Sequence, residues 1–371
     1  MIKNLMSNFF KLKTRLKKKN VNIDNDAINK YHIIDKYKKE YTTHTPFSDF
    51  LDYKDNYLNI LDIGCFGQDV PEQYSLQKNI KFYGVDIDEK NINYLKKKYS
   101  NNIDYFFYTN EVVAPKNLDI FYKTYKYNFK NKYQNIAFKS ATYQKYSEIK
   151  QSINKTNQKT TDALSKPIKS TIDEILLKNN INNVNFLKID IDSNDVDVLY
   201  GCENLLKNDN LFGVKVEVNF SPPDSSKNIY EPYLYLSDHN FVLHKIITNR
   251  YASDKIPEKF FYNFSGQNFN GSDLYGDLIF FKTLDNNFIK TLDKYKLINF
   301  CRILEIHNLN GMAAEILLNT KEKFSSEEIK NYLNKLSEKS CFEIFGKVLD
   351  YKTFIDLINN NPQILLNKQF E

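Results

Sequence analysis

Tryptophan is absent from this chain, and glycine numbers only 10 in 371 residues, so each glycine at a turn carries information about the backbone there. The four cysteines, Cys65, Cys202, Cys301 and Cys341, stand far apart, with no CxxC pair and no zinc-like spacing. That scatter points to a reduced, cytoplasmic chain and away from a disulfide scaffold. No apolar run approaches the roughly 20 residues of a membrane span. The N-terminus lacks the uninterrupted apolar core of a secretory signal ahead of its lysines. A GxGxxG dinucleotide fingerprint is missing as well.

What is present suits a folded enzyme-sized chain. Hydrophobic residues make up 42% and aromatics 15%, enough to build a large core. The net charge of +6 is concentrated at the N-terminus, where residues 1–20 carry seven basic groups and no acidic one. The rest of the chain is close to neutral, so no nucleic-acid partner is expected. Within the basic stretch, Leu5, Phe9, Leu12 and Leu16 form one helical stripe. It reads either as a helix packed on its own domain or as a peripheral membrane contact; the shortness of the basic run favours the former.

From Tyr57 onward, β-rich runs alternate with helical ones. YLNILDIG, QKNIKFYGVDID, NIDYFFY, VNFLKID and LFGVKVEVNF read as strands, with helices over EKNINYLKKKYS and DVDVLYGCENLLKN. This alternation predicts an α/β fold with a mainly parallel sheet. KNLDIFYKTYKYNF reads as a hairpin, and KQSINKTNQKTTDALSKP as a loop or lid. After Phe281 the pattern turns helical. Ser325 stands three residues before Glu328, a capping-box spacing.

Three groups of residues carry chemistry. In LDIGCFGQD, Asp62, Gly64 and Gly67 stand where the first strand turns toward a helix, a place for close ligand approach. FYGVDID ends the second strand in Asp86, positioned to accept the two hydroxyls of a ribose, with Asp88 as the next helix's N-cap. The third group is FLKIDIDSNDVDVLYG. Its Asp190, Asp192 and Asn194 mimic a calcium loop, but Asp195 replaces the turn glycine and Gly201 the closing glutamate, so that reading fails. As a strand end it is coherent: Asp190 and Asp192 face the crevice beyond the sheet, Asp195 favours a helix start, and Asp197 meets water. Glu217 and Asn219 follow on the next strand, where a charge in so apolar a run needs a partner or a function. His239 and His244 read as surface or satisfied-core residues outside the site.

Taken together, these segments resemble the FkbM family of S-adenosylmethionine-dependent methyltransferases over roughly residues 58–283. The likeness rests on LDIGCFG, YGVDID, STIDEIL, FLKIDIDSNDVDVLYGCENLL, FGVKVEVNF and SGQNFNGSDLYGDLIFFK, in that order. Thr171, Asp173, Lys188, Asp190, Asp192, Asp195, Leu199 and Gly201 match the family pattern. Ser193 stands where the family has glycine, and Asp192 and Asp195 where it has glutamate.

The resemblance implies a Rossmann-like class I methyltransferase fold, a mainly parallel seven-stranded sheet whose last strand, YGDLIFFK, runs antiparallel. It implies a methyltransferase domain over residues 51–285, preceded by a basic helical extension (1–50) and followed by a helical appendage (286–371). The implied reaction is O-methylation of a hydroxyl on a sugar, glycan, lipid or secondary metabolite. Asp62, Gly64, Gly67 and Asp86 would hold S-adenosylmethionine, while Asp190, Asp192 and Glu217 would serve the acceptor. If the reaction depends on Mg²⁺, Asp190, Glu217 and Asn219 are its ligands. Two other readings stay open: a non-catalytic Rossmann-like scaffold at a membrane surface, and a nucleotide-sugar oxidoreductase, against which the missing GxGxxG weighs.

Overall fold

The computed structural model describes residues 56–65, 69–125, 168–191, 195–220, 229–251, 272–339, 341–344 and 347–350, with positions 356 and 360. The readings on residues 1–50 and on KQSINKTNQKTTDALSKP lie outside them, as do those on Gly67, Asp192 and Ser193.

Seven strands form one sheet: β1 (Leu58–Ile63), β2 (Ile80–Asp86), β3 (Tyr105–Thr109), β4 (Phe186–Ile189), β5 (Gly213–Asn219), β6 (Phe241–Tyr251) and β7 (Ser272–Lys282). Their spatial order is β3-β2-β1-β4-β5-β7-β6. β1 pairs in parallel with β2 and β4, and β5 in parallel with β4. β7 runs antiparallel to both β5 and β6, as expected for YGDLIFFK. All six residues of β1 are buried, which is why LNILDI reads as a nearly continuous apolar run rather than an alternating one. This is a Rossmann-like class I methyltransferase topology: six strands share one direction and the last opposes them.

Helices cover both faces. They are α1 (Glu72–Ser75), α2 (Glu89–Lys98), α3 (Leu118–Tyr125), α4 (Ile172–Lys178), α5 (Asp195–Leu199), α6 (Glu203–Leu206), α7 (Tyr230–Asp238), α8 (Asn286–Thr291), α9 (Lys294–Ile306), α10 (Asn310–Asn319) and α11 (Ser326–Lys339). Leu61, Ile63, Leu187, Val214, Val216, Leu278 and Phe280 share one core with α4, α5 and α7. On the other face, Leu58, Ile60, Phe82, Phe186, Ile279 and Phe281 pack with α9 and α10. Phe300 of α9 stacks on Phe212 with ring centroids 4.8 Å apart. Arg302, buried in the same layer, donates from Nη1 to Asn299 Oδ1 at 3.3 Å and from Nη2 to the Lys78 carbonyl. The late helices thus share the sheet's core, and each large side chain buried there contributes about 1.5–3 kcal/mol.

Two local readings change. KNLDIFYKTYKYNF does not form a hairpin: Leu118–Tyr125 is helical, and Phe121 is buried against Tyr200 at 4.7 Å and Tyr235 at 5.7 Å. Aromatic residues of high strand propensity are here overridden by packing on a helical layer. The helix read through DVDVLYGCENLLKN breaks into α5, a 3₁₀ turn at Tyr200–Cys202, and α6. The break falls where Gly201 presses on Thr171, whose Cβ would lie 3.1 Å from a β-carbon at 201. The restarted helix is capped from outside, since the Asp173 carboxylate accepts the Asn204 and Leu205 N–H groups at 2.8 and 3.1 Å. The capping box at Ser325 and Glu328 forms as expected. Downstream, Cys341–Ile344 and Lys347–Asp350 make a small antiparallel pair that the sequence pattern does not announce.

Candidate active site

The carboxyl ends of β1, β2, β4 and β5 lie side by side, and each brings an acidic residue to its end. At the end of β1 the chain turns through Gly64, whose φ of +86° is natural only for glycine. Its N–H donates to the Val85 carbonyl at 2.8 Å, which ties the turn to β2. On the other side, the Asp190 N–H donates to the Ile63 carbonyl at 2.9 Å. The turn after β1 and the start of the loop after β4 are therefore in contact through their backbones.

Asp86 closes β2 with 5% of its surface exposed. Its Oδ1 accepts the Asp88 N–H at 2.8 Å, and Asp88 in turn caps α2 by accepting the Lys90 and Asn91 N–H groups. Burial lifts the Asp86 pKa to about 6; the Asp88 and Asp62 carboxylates add to the rise, and N–H donors from Asp88 and Ile87 oppose it. Asp62 is a near neighbour on the adjacent strand, where it pairs in register with Gly84.

Asp62 is nearly buried, and its partner is a lysine. Lys188 Nζ lies 2.9 Å from Asp62 Oδ1 and 3.6 Å from Asp190 Oδ2. Burial on its own lowers the lysine pKa, but the Asp62 and Asp190 carboxylates outweigh it and hold the pKa above the ordinary lysine value. Lys188 also stands in register with Lys215 of β5, and Lys215 Nζ pairs with Asp277 Oδ2 of β7 at 2.7 Å. A row of charges thus crosses the sheet from Asp62 to Asp277, on the face opposite the Val214–Val216–Val218 stripe. The buried Cys65 thiol beside this row has its pKa pushed up by burial and by Asp62 and Asp86, which makes it a poor nucleophile.

Beyond β4, the Asp195 carboxylate reaches back to accept the Ile191 N–H at 2.6 Å. Carboxylate oxygens of Asp190, Asp195 and Glu217 lie within 4.8 Å of one another. Among the described residues these three carry oxygen donors at a spacing that suits a divalent cation. The Asn219 side chain lies outside the described residues, so the trio contains Asp195 where the sequence pointed to Asn219.

The structure therefore brings together Asp62, Gly64, Asp86, Asp190 and Glu217. Asp197, read as solvated, is instead buried at 6% exposure, because α5 packs closely on the sheet. His239 ends α7 with Nδ1 2.8 Å from the Tyr235 carbonyl, and His244 is an exposed position on β6; both stand outside the cluster. Lys188, Lys215 and Asp277 are the residues that motif reading missed as a unit. Their signal was present: a lysine inside the apolar run VNFLKID, and another inside GVKVEVNF.

The model of the methyltransferase FkbM domain matches residues 74–243, a span that begins within α1, after the Asp62–Gly64 turn, and takes in Asp86, Lys188, Asp190 and Glu217. No curated protein matches the chain. Among solved structures, a TehB-like SAM-dependent methyltransferase from Corynebacterium glutamicum is similar at 11% identity and a TM-score of 0.26, covering 69% of this chain and 99% of that one. TrmK from M. capricolum, in complex with S-adenosylhomocysteine, is similar at 12% identity and a TM-score of 0.29, covering 85% and 99%. Aeropyrum pernix fibrillarin, with bound S-adenosylmethionine, is similar at 10% identity and a TM-score of 0.28, covering 65% and 76%. Over residues 74–243, which carry the ends of β2, β4 and β5, the chain is similar to the FkbM methyltransferases.

Proposed function

We propose that this protein transfers a methyl group from S-adenosylmethionine to a hydroxyl oxygen of a sugar, glycan, lipid or secondary metabolite. The observation that carries the reading is the alignment of Asp62–Gly64, Asp86 and Asp190 at three neighbouring strand ends of a seven-stranded sheet. Ligands of open α/β sheets bind at such a crevice.

The donor set suits the methyl donor. Asp86 offers a carboxylate to the ribose hydroxyls, and the turn at Gly64 brings backbone close to the amino-acid part of the ligand. When bound, S-adenosylmethionine supplies a methyl group already activated on a sulfonium. The protein's work is then to align an acceptor oxygen with that methyl and to receive the proton the oxygen loses. Asp190, a third exposed on its side chain and next to the cofactor turn, is our candidate to accept that proton, with Glu217 beside it. Asp192 stands two residues beyond Asp190 in the sequence and is assigned to orient the acceptor.

The test is a transfer assay with methyl-labelled S-adenosylmethionine and panels of monosaccharides, oligosaccharides, glycolipids and hydroxylated metabolites. The expected product is a methyl ether, formed by the wild type and at least about a hundredfold more slowly by Asp190→Asn. A methylated nitrogen or carbon in the product, or full activity in Asp190→Asn, would overturn the assignment.

A further inference from the structure

Lys188 touches two of these strand ends at once. It reaches Asp62 of β1 at 2.9 Å and Asp190 after β4 at 3.6 Å, and its side chain is only 12% exposed. Asp62 is more deeply buried still, at 3% of its side chain. A carboxylate so placed needs a charged partner, and Lys188 supplies it. Asp190 is the more exposed of the two acids, at 33% of its side chain. The backbone repeats the link, since Asp190 donates to Ile63 and its carbonyl leaves no room for a side chain at Gly64.

We infer that Lys188 is a positioning residue that couples the acceptor-side carboxylate Asp190 to the cofactor-side turn at Asp62 and Gly64. This rests on the methyltransferase reading given above. Lys188 itself touches neither donor nor acceptor in this account. It holds Asp62 under the cofactor turn, and it sets the orientation of Asp190 toward the same point. A change at Asp190 is then felt by the cofactor through the shared ammonium.

The experiment is a double-mutant cycle read by calorimetric titration with S-adenosylhomocysteine, which needs no knowledge of the acceptor. Asp190→Asn is compared with wild type, and Lys188→Met/Asp190→Asn with Lys188→Met. We expect Lys188→Met to weaken binding on the order of tenfold. Asp190→Asn should weaken it severalfold when Lys188 is present and leave it unchanged in the Lys188→Met background. A purely structural lysine would instead lower the thermal midpoint while Asp190→Asn acted equally in both backgrounds, and that result overturns the inference. So does a Lys188→Met protein that binds as the wild type does. If Lys188→Met does not fold, Asp62→Asn/Lys188→Met removes both buried charges together and serves as the background, with the same two outcomes. Wild-type protein that fails to bind S-adenosylhomocysteine at all sinks the cofactor assignment, and with it this inference, and is distinct from either of those results.

Discussion

A β-carbon built on Gly64 would lie 1.8 Å from the carbonyl oxygen of Asp190, so the turn after β1 and the end of β4 fit only while residue 64 has no side chain. With φ at +86° the position is closed to L-residues on conformational grounds as well. Gly64→Ala is expected to cost about 2–4 kcal/mol and to abolish cofactor binding. Urea unfolding checks the first part and ligand titration the second. An alanine variant of unchanged midpoint would mean that the two strand ends are not in contact.

Asp86 makes a prediction with two opposite signs. Its folded pKa of about 6 lies above the ordinary carboxylate value of 3.8, so the unliganded protein gains stability from its protonation and loses that gain as pH rises through about 6. Asp86→Asn stays neutral. Near pH ~7.5 the unliganded variant should be more stable than wild type by about 1–3 kcal/mol, with the difference closing toward pH ~4. The same variant should bind S-adenosylhomocysteine more weakly. Thermal melts across this range test the claim, and a variant less stable than wild type at the upper end would contradict it.

Asp173 separates architecture from chemistry within the matching segments. It caps α6 by accepting the Asn204 and Leu205 N–H groups. Asp173→Ala should lower stability by about 1–2 kcal/mol and leave affinity for the cofactor product unchanged in the folded fraction. Loss of binding at undiminished stability would place Asp173 in the site instead.

The helices after Lys282 are expected to unfold together with the sheet. Phe300 is fully buried and stacks on Phe212 with planes 8° apart. Phe300→Ala should therefore cost about 3–5 kcal/mol, with sheet and helices melting in one transition. A cost under about 1 kcal/mol, or two separate transitions, would show that the helical layer folds by itself.

Much of this architecture is legible in the sequence because the central strands are buried on both faces. LNILDI and VNFLKI announce themselves as apolar runs, and FYGVDID carries the acid that closes its own strand. Asp88 and Ser325 are readable as caps because capping is local and depends on residues two or three positions away. What was not legible depends on distant partners. Strand propensity alone misreads the aromatic segment after Asn117, since Phe121 is held in a helix by its packing on Tyr200 and Tyr235. Asp197 is polar by composition but buried by the packing of α5. Lys188 and Asp62 stand 126 positions apart, and only the parallel register of β1 and β4 makes them an ion pair.

The central claim is that S-adenosylmethionine binds at the ends of β1, β2 and β4. Its most direct test is calorimetric titration of S-adenosylhomocysteine into the full chain and into Asp86→Ala. The account predicts one site per wild-type chain and affinity at least about tenfold weaker in the variant, the loss of hydrogen bonds to one charged acceptor. Absence of binding to folded wild-type protein, or equal affinity in the two, would contradict it.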